Sequence, residues 1–73
     1  MLTDKYLRPI KLRKYREDRK LSRAALARAA NISNADLGQF EIGRVIPYDT
    51  QLIKLAAALG VDDPEKLMEP LEA

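Results

Sequence analysis

Leu21-Ser22-Arg23-Ala24-Ala25-Leu26-Ala27-Arg28-Ala29-Ala30-Asn31-Ile32-Ser33-Asn34-Ala35-Asp36-Leu37-Gly38-Gln39-Phe40-Glu41-Ile42-Gly43-Arg44 carries two helix starts and two helix stops. Ser22 offers a hydroxyl to a first-turn amide and so caps a helix over residues 23–30, with Leu26, Ala27 and Ala30 on its buried side. Asn31 tolerates the left-handed conformation of a tight turn, Ile32 supplies an apolar plug, and Ser33 caps the next helix over residues 34–42. Gly43 stops that helix without a Cβ penalty. A joint this short forbids a long side-by-side hairpin, and the small Ala27 and Ala30 let the two backbones cross closely. In the second helix, Leu37, Phe40 and Glu41 share one face. Asn34, Ala35, Gly38, Gln39 and Ile42 share the other, so its outward strip is small, polar and mostly uncharged.

Outward from this pair, a first helix follows Pro9 and runs to about Lys20, with Leu12, Tyr15 and Arg16 at i, i+3 and i+4 and a basic outer face. Pro47 and Asp49 introduce a fourth helix over residues 50–59, turning Leu52, Leu55, Ala56 and Leu59 inward and stopping at Gly60. Val61 returns to the core. Asp62, Asp63 and Pro64 then open a short fifth helix carrying Leu67 and Met68, which ends before Pro70. The expected fold is all-α, a compact five-helix domain over residues 10–69, with an N-terminal arm at 1–9 and a short tail at 70–73.

Composition narrows the function. The chain has 73 residues, enough for one small core, and contains neither Cys nor His. Disulfides, thiolate and imidazole metal ligands, Cys nucleophiles and the usual neutral-pH general base are therefore missing, which points away from an enzyme and from any cofactor or metal. Gly38, Gly43 and Gly60 form no phosphate-cradling motif, and Asp62, Asp63 and Glu65 lack calcium-ligand spacing and read as caps and first-turn charges. No apolar run approaches the roughly 20 residues of a membrane span. Asp4, Lys5 and Arg8 interrupt the opening segment where a signal peptide would be apolar, so the expected location is cytoplasmic. The net charge of +2 conceals a division. Residues 1–30 hold ten Lys and Arg against three acids, giving +7, whereas residues 31–73 hold three against eight, giving −5. One side of the molecule suits a polyanion.

A family resemblance rests on several short motifs in order. They are Arg16-Glu17-Asp18-Arg19-Lys20-Leu21-Ser22-Arg23-Ala24-Ala25-Leu26-Ala27, Asn31-Ile32-Ser33, Leu37-Gly38-Gln39-Phe40-Glu41-Ile42-Gly43-Arg44, Pro47, and Leu52-Ile53-Lys54-Leu55-Ala56-Ala57-Ala58-Leu59-Gly60-Val61. Together they resemble the helix-turn-helix of phage Cro and CI-type repressors, the Xre family, over about residues 12–68. The resemblance implies a lambda repressor-like fold and a sequence-specific transcriptional regulator, by default a repressor, that binds double-stranded DNA. A homodimer on a pseudo-palindromic operator goes with it. It leaves activation through RNA polymerase open, and it leaves a protein-interaction adaptor or a toxin-binding antitoxin as rivals on the same fold.

By position, the resemblance implies base reading by Asn34, Ala35 and Gln39. An Asn or Gln amide can pair with adenine N6 and N7, and an Ala methyl can pack on a thymine methyl. Asp36 has two readings, a contact to cytosine N4 or a first-turn charge bonded back to the Ser33 amide. Phosphate contacts are implied for Arg23, where the family commonly has Gln, for first-turn amides of the same helix, and for Arg44, with Lys20 and Asn31 as further candidates. Arg16 and Glu41 resemble the family's ion pair between the first and third helices. Gly38 stands where relatives often have Ser, and close approach to the second helix or to DNA would each explain it. Ile42 faces outward, towards DNA or a partner subunit.

Overall fold

Ser22 and Ser33 accept hydrogen bonds from the amides of Ala25 and Asp36, each at 3.0 Å, and each bond opens a helix. In the computed structural model, which describes residues 9–71, these are α2 (Arg23–Ala29) and α3 (Asn34–Glu41). They follow α1 (Leu12–Asp18) and precede α4 (Asp49–Leu59). Residues 1–8 of the expected arm, and residues 72 and 73 of the tail, lie outside the described residues. The last helix begins one residue earlier than the sequence suggests, because Gln51 Oε1 accepts the Tyr48 amide at 2.9 Å and closes the first turn around it.

The expected fifth α-helix is instead a 3₁₀ helix, η1 (Pro64–Met68). Asp63 caps it through the Glu65 amide, and its backbone bonds span three residues, Lys66 to Asp63 at 3.0 Å and Glu69 to Lys66 at 3.4 Å. Pro70 holds Glu69 in an extended conformation, so no further turn follows and the tighter helix suffices. A second correction concerns the start of α1. Ile10 is not helical but forms an antiparallel bridge with Pro70, flanked by Lys11 N to Glu69 O and Leu71 N to Pro9 O, both 2.9 Å. Lys11 Nζ also meets Glu69 Oε1 at 3.1 Å. The segment before α1 is thus clasped to the segment after η1.

Each helix contributes one leucine with no exposure at all: Leu12, Leu26, Leu37, Leu55 and Leu67. Burying a side chain of this size stabilises by about 1.5–3 kcal/mol, so these residues dominate the core. Ile10, Ala27, Ala30, Phe40, Leu52, Ala56 and Leu59 fill the space between them.

All four α-helices end the same way. A residue with positive φ follows the last turn, Lys20 (58°), Asn31 (57°), Gly43 (82°) or Gly60 (70°). The next amide then reaches back across the turn: Leu21 to Arg16 O, Ile32 to Ala27 O, Arg44 to Gln39 O and Val61 to Ala56 O, at 2.8–3.2 Å. This closure satisfies carbonyls that a helix end would otherwise leave open, and an apolar residue after it normally packs back. Leu21, Ile32 and Val61 do pack on the core. Arg44, after α3, points to solvent.

Between α1 and α3, Arg16 Nε donates to Glu41 Oε2 at 2.6 Å and Nη2 to Oε1 at 3.2 Å, while Nη1 donates to the Leu21 carbonyl at 2.8 Å. Glu41 is 5% exposed, and no buried side-chain polar atom among the described residues lacks a partner. Nearby, Arg13 and Glu17 form an exposed i, i+4 pair at 2.9 Å. Its hydrogen bond holds the Glu17 carboxyl below the ordinary glutamate range. That pair's contribution is present above the ordinary range and fades as acid protonates Glu17.

Two stability measurements follow from this scaffold. Removing either Arg16 or Glu41 alone leaves a charge uncompensated and should cost about 3–5 kcal/mol, whereas Arg16→Met with Glu41→Leu should cost less than the worse single change. Urea titrations of the three variants decide this, and singles as stable as wild type would mean the pair is immaterial. In the same titrations Lys20→Gly should raise stability by up to about 1 kcal/mol, since only glycine holds that backbone without strain. Gly60→Ala should lower it by about 1 kcal/mol although nothing lies within 4 Å of the added methyl.

Candidate nucleic-acid interface

The Arg16–Glu41 link and the burial of Leu37 and Phe40 leave α3 only one way to face. Asn34, Ala35, Asp36 and Ile42 are exposed, and Gly38 and Gln39 are half-buried, so the outward strip is continuous along the helix. Gln39 is therefore less open than its place on the strip suggests. Its backbone carbonyl accepts both the Arg44 and the Val45 amides, which draws the following loop over its base. Asp36 takes no side-chain hydrogen bond among the described residues, so the bond back to the Ser33 amide is absent. Its carboxylate stands free at the positive end of α3.

The positive charges of α1 and α2 sort into two groups. Arg13, Arg16 and Arg19 are spent on internal contacts. Lys14, Lys20, Arg23 and Arg28, together with Arg44, are exposed and form no ion pair or side-chain hydrogen bond among the described residues. Of the expected phosphate-facing residues, Arg23 starts α2, Lys20 and Asn31 sit at the left-handed closures on either side of it, and Arg44 follows the closure of α3. Asn31 and Arg44 thus stand before and after α3, and Lys20 and Arg23 stand at the start of α2.

Arg23 has a more specific position. A Cβ built on Gly38 would lie 3.1 Å from Arg23 Nη1, 3.5 Å from Cζ and 3.8 Å from Nε. The guanidinium therefore lies across the second turn of α3, in the space that a side chain at position 38 would occupy. Of the two explanations open for Gly38, close approach of the second helix is the one observed.

Sequence reasoning missed Arg19, whose Nε donates to the Leu59 carbonyl at the end of α4 while its guanidinium lies 5.6 Å from the centre of the Tyr15 ring. The signal was the i, i+4 spacing from Tyr15, but the partner lies 40 residues away. It also missed that Val45, Ile46 and Tyr48, in the loop after α3, are all exposed, at 45%, 76% and 77%. Among the described residues there is no helix long and apolar enough to cross a membrane, and no group of acidic residues placed to hold a metal ion.

Comparison with known proteins agrees with this geometry. The crystal structure of the restriction-modification controller protein C.AhdI from Aeromonas hydrophila is similar, with a TM-score of 0.74 and 29% sequence identity. The match covers 80% of this chain and 86% of that one. None of the curated proteins compared with the chain matches it. The family model described as a helix-turn-helix domain matches residues 10–67, which takes in α1 through most of η1. With α2 and α3 joined by a left-handed turn and held by α1 and α4 in the Cro/CI arrangement, this chain belongs to the helix-turn-helix domain family.

Proposed function

We propose that the protein is a transcriptional regulator, by default a repressor, that binds double-stranded DNA with α3 in the major groove. The observation that carries this is the outward strip of α3, left open by the rest of the fold except where the Arg23 guanidinium lies beside Gly38, with Arg23 and Arg44 next to it as exposed cations that have no ion pair among the described residues. Asn34 and Gln39 would read adenine edges, Ala35 a thymine methyl and Asp36 a cytosine amine. Arg44, Lys20 and Asn31 would meet the sugar-phosphate backbone. The similarity to a restriction-modification controller supports a regulatory role for this chain too.

A second copy would complete the reading unit. Ile53 on α4 is 58% exposed next to Pro64 and Glu65 of η1, and this face would form a weak dimer that DNA reinforces. Two copies would then read half-sites about 10–10.5 bp apart, or a multiple of that. Footprints with one asymmetric half-site at saturation would contradict the dimer.

The central test separates specificity from affinity. Gln39→Ala should lose about 1–3 kcal/mol on the selected operator and almost nothing on a scrambled duplex, because an amide is satisfied only opposite its own base. Arg44→Ala should weaken both duplexes alike and make the salt slope shallower by about 1. Binding titrations at several salt concentrations read both quantities. Equal losses for Gln39→Ala on the two duplexes would remove it from base reading, and a wild type that saturates on no duplex would return the fold to an interaction module.

A further inference from the structure

We propose that Arg23 is a specificity residue that reads a guanine in the major groove, rather than a contact to the phosphate backbone. This rests on the DNA-binding reading and assigns to α2 a part of the recognition surface that α3 alone would hold. Arg23 occupies the first position of α2, where the family resemblance implies a phosphate partner. The side chain does not extend away from the domain there. It turns across α3, so that Nη1, Cζ and Nε lie within 3.1–3.8 Å of the point where a Cβ of residue 38 would be.

Position 38 lies one helical turn beyond Asn34 and Ala35 and one turn before Ile42, so the guanidinium lies against the strip at its middle turn. The absence of a side chain at Gly38 leaves this space open, and a Cβ there, 3.1 Å from Nη1, would push the guanidinium aside by a few tenths of an ångström. The chain thus combines a long side chain at position 23 with the smallest residue at position 38. One accommodates the other.

Arg23 has the donors for a base contact, and the composition of the strip favours a base over a phosphate. Arg23 forms no hydrogen bond or ion pair among the described residues, so its donors are all available. The α3 strip itself offers Asn34, Ala35, Asp36 and Gln39, which suit adenine, thymine and cytosine but include no donor fork for guanine O6 and N7. The planar guanidinium of Arg23 supplies that fork where the strip lacks it.

The experiment starts from duplexes that the wild-type protein selects out of a random-sequence pool. Selection with Arg23→Ala should return the same motif with the preference for one G·C pair in each half-site lost. In titrations, Arg23→Ala should weaken the selected duplex roughly tenfold to a hundredfold while leaving a scrambled duplex and the salt slope unchanged. Replacing that guanine by 7-deazaguanine, which lacks the N7 acceptor, should weaken the wild type and not the variant. Arg23 is exposed, so the variant should melt with the wild type, and the 7-deazaguanine arm on unmodified protein stands even if it does not. Equal weakening of selected and scrambled duplexes with a salt slope shallower by about 1 would make Arg23 a phosphate contact and overturn the proposal while leaving DNA binding intact. A wild-type protein that selects no sequence from the pool would overturn the DNA-binding reading itself.

Discussion

Glu41 is the one charged side chain buried among the described residues, and the orientation of α3 depends on it. A carboxylate removed from water is costly unless each oxygen is paired, and Arg16 pairs both while also holding the Leu21 carbonyl at the turn between α1 and α2. One guanidinium thereby ties α1 to the end of α3 and to the entrance of α2. Rotating α3 about its axis would break a buried, charge-assisted, two-point contact, so the strip opposite Glu41 is committed to solvent.

The helix ends turn this rigidity into a surface. A shared closure ends every α-helix, and after three of them an apolar residue folds back into the core. After α3 the equivalent place belongs to Arg44, which cannot be buried unpaired and so stands at the margin of the strip. The change from an apolar residue to a cation at one closure marks where the scaffold stops and the interface starts.

Charge is divided by geometry more than by sequence position. The N-terminal half is strongly basic, yet Arg13, Arg16 and Arg19 are occupied by Glu17, Glu41 and the Leu59 carbonyl. What remains for a polyanion is a smaller set, Lys14 on α1, Lys20, Arg23 and Arg28 in and beside α2, and Arg44 after α3. Long-range attraction would come from the whole basic half, while orientation would come from the few cations whose donors are unspent.

The amino-acid sequence by itself determined the helix starts at Ser22 and Ser33, the left-handed turn at Asn31, the stops at Gly43 and Gly60, and the buried faces of α2, α3 and α4. Each of these depends on groups within about four residues of one another, the range over which a cap, a closure or a helical face is set. The type of η1 was not legible because the few residues between two prolines satisfy either helix type until the bonds to Asp63 and Lys66 settle it. Only the tertiary structure decided the clasp of Ile10 on Pro70, the capping of Leu59 by Arg19, and the placement of Arg23 over Gly38. Those contacts join residues 15 to 60 positions apart, and whether their atoms meet is set by how the helices cross, which follows from packing the five buried leucines together.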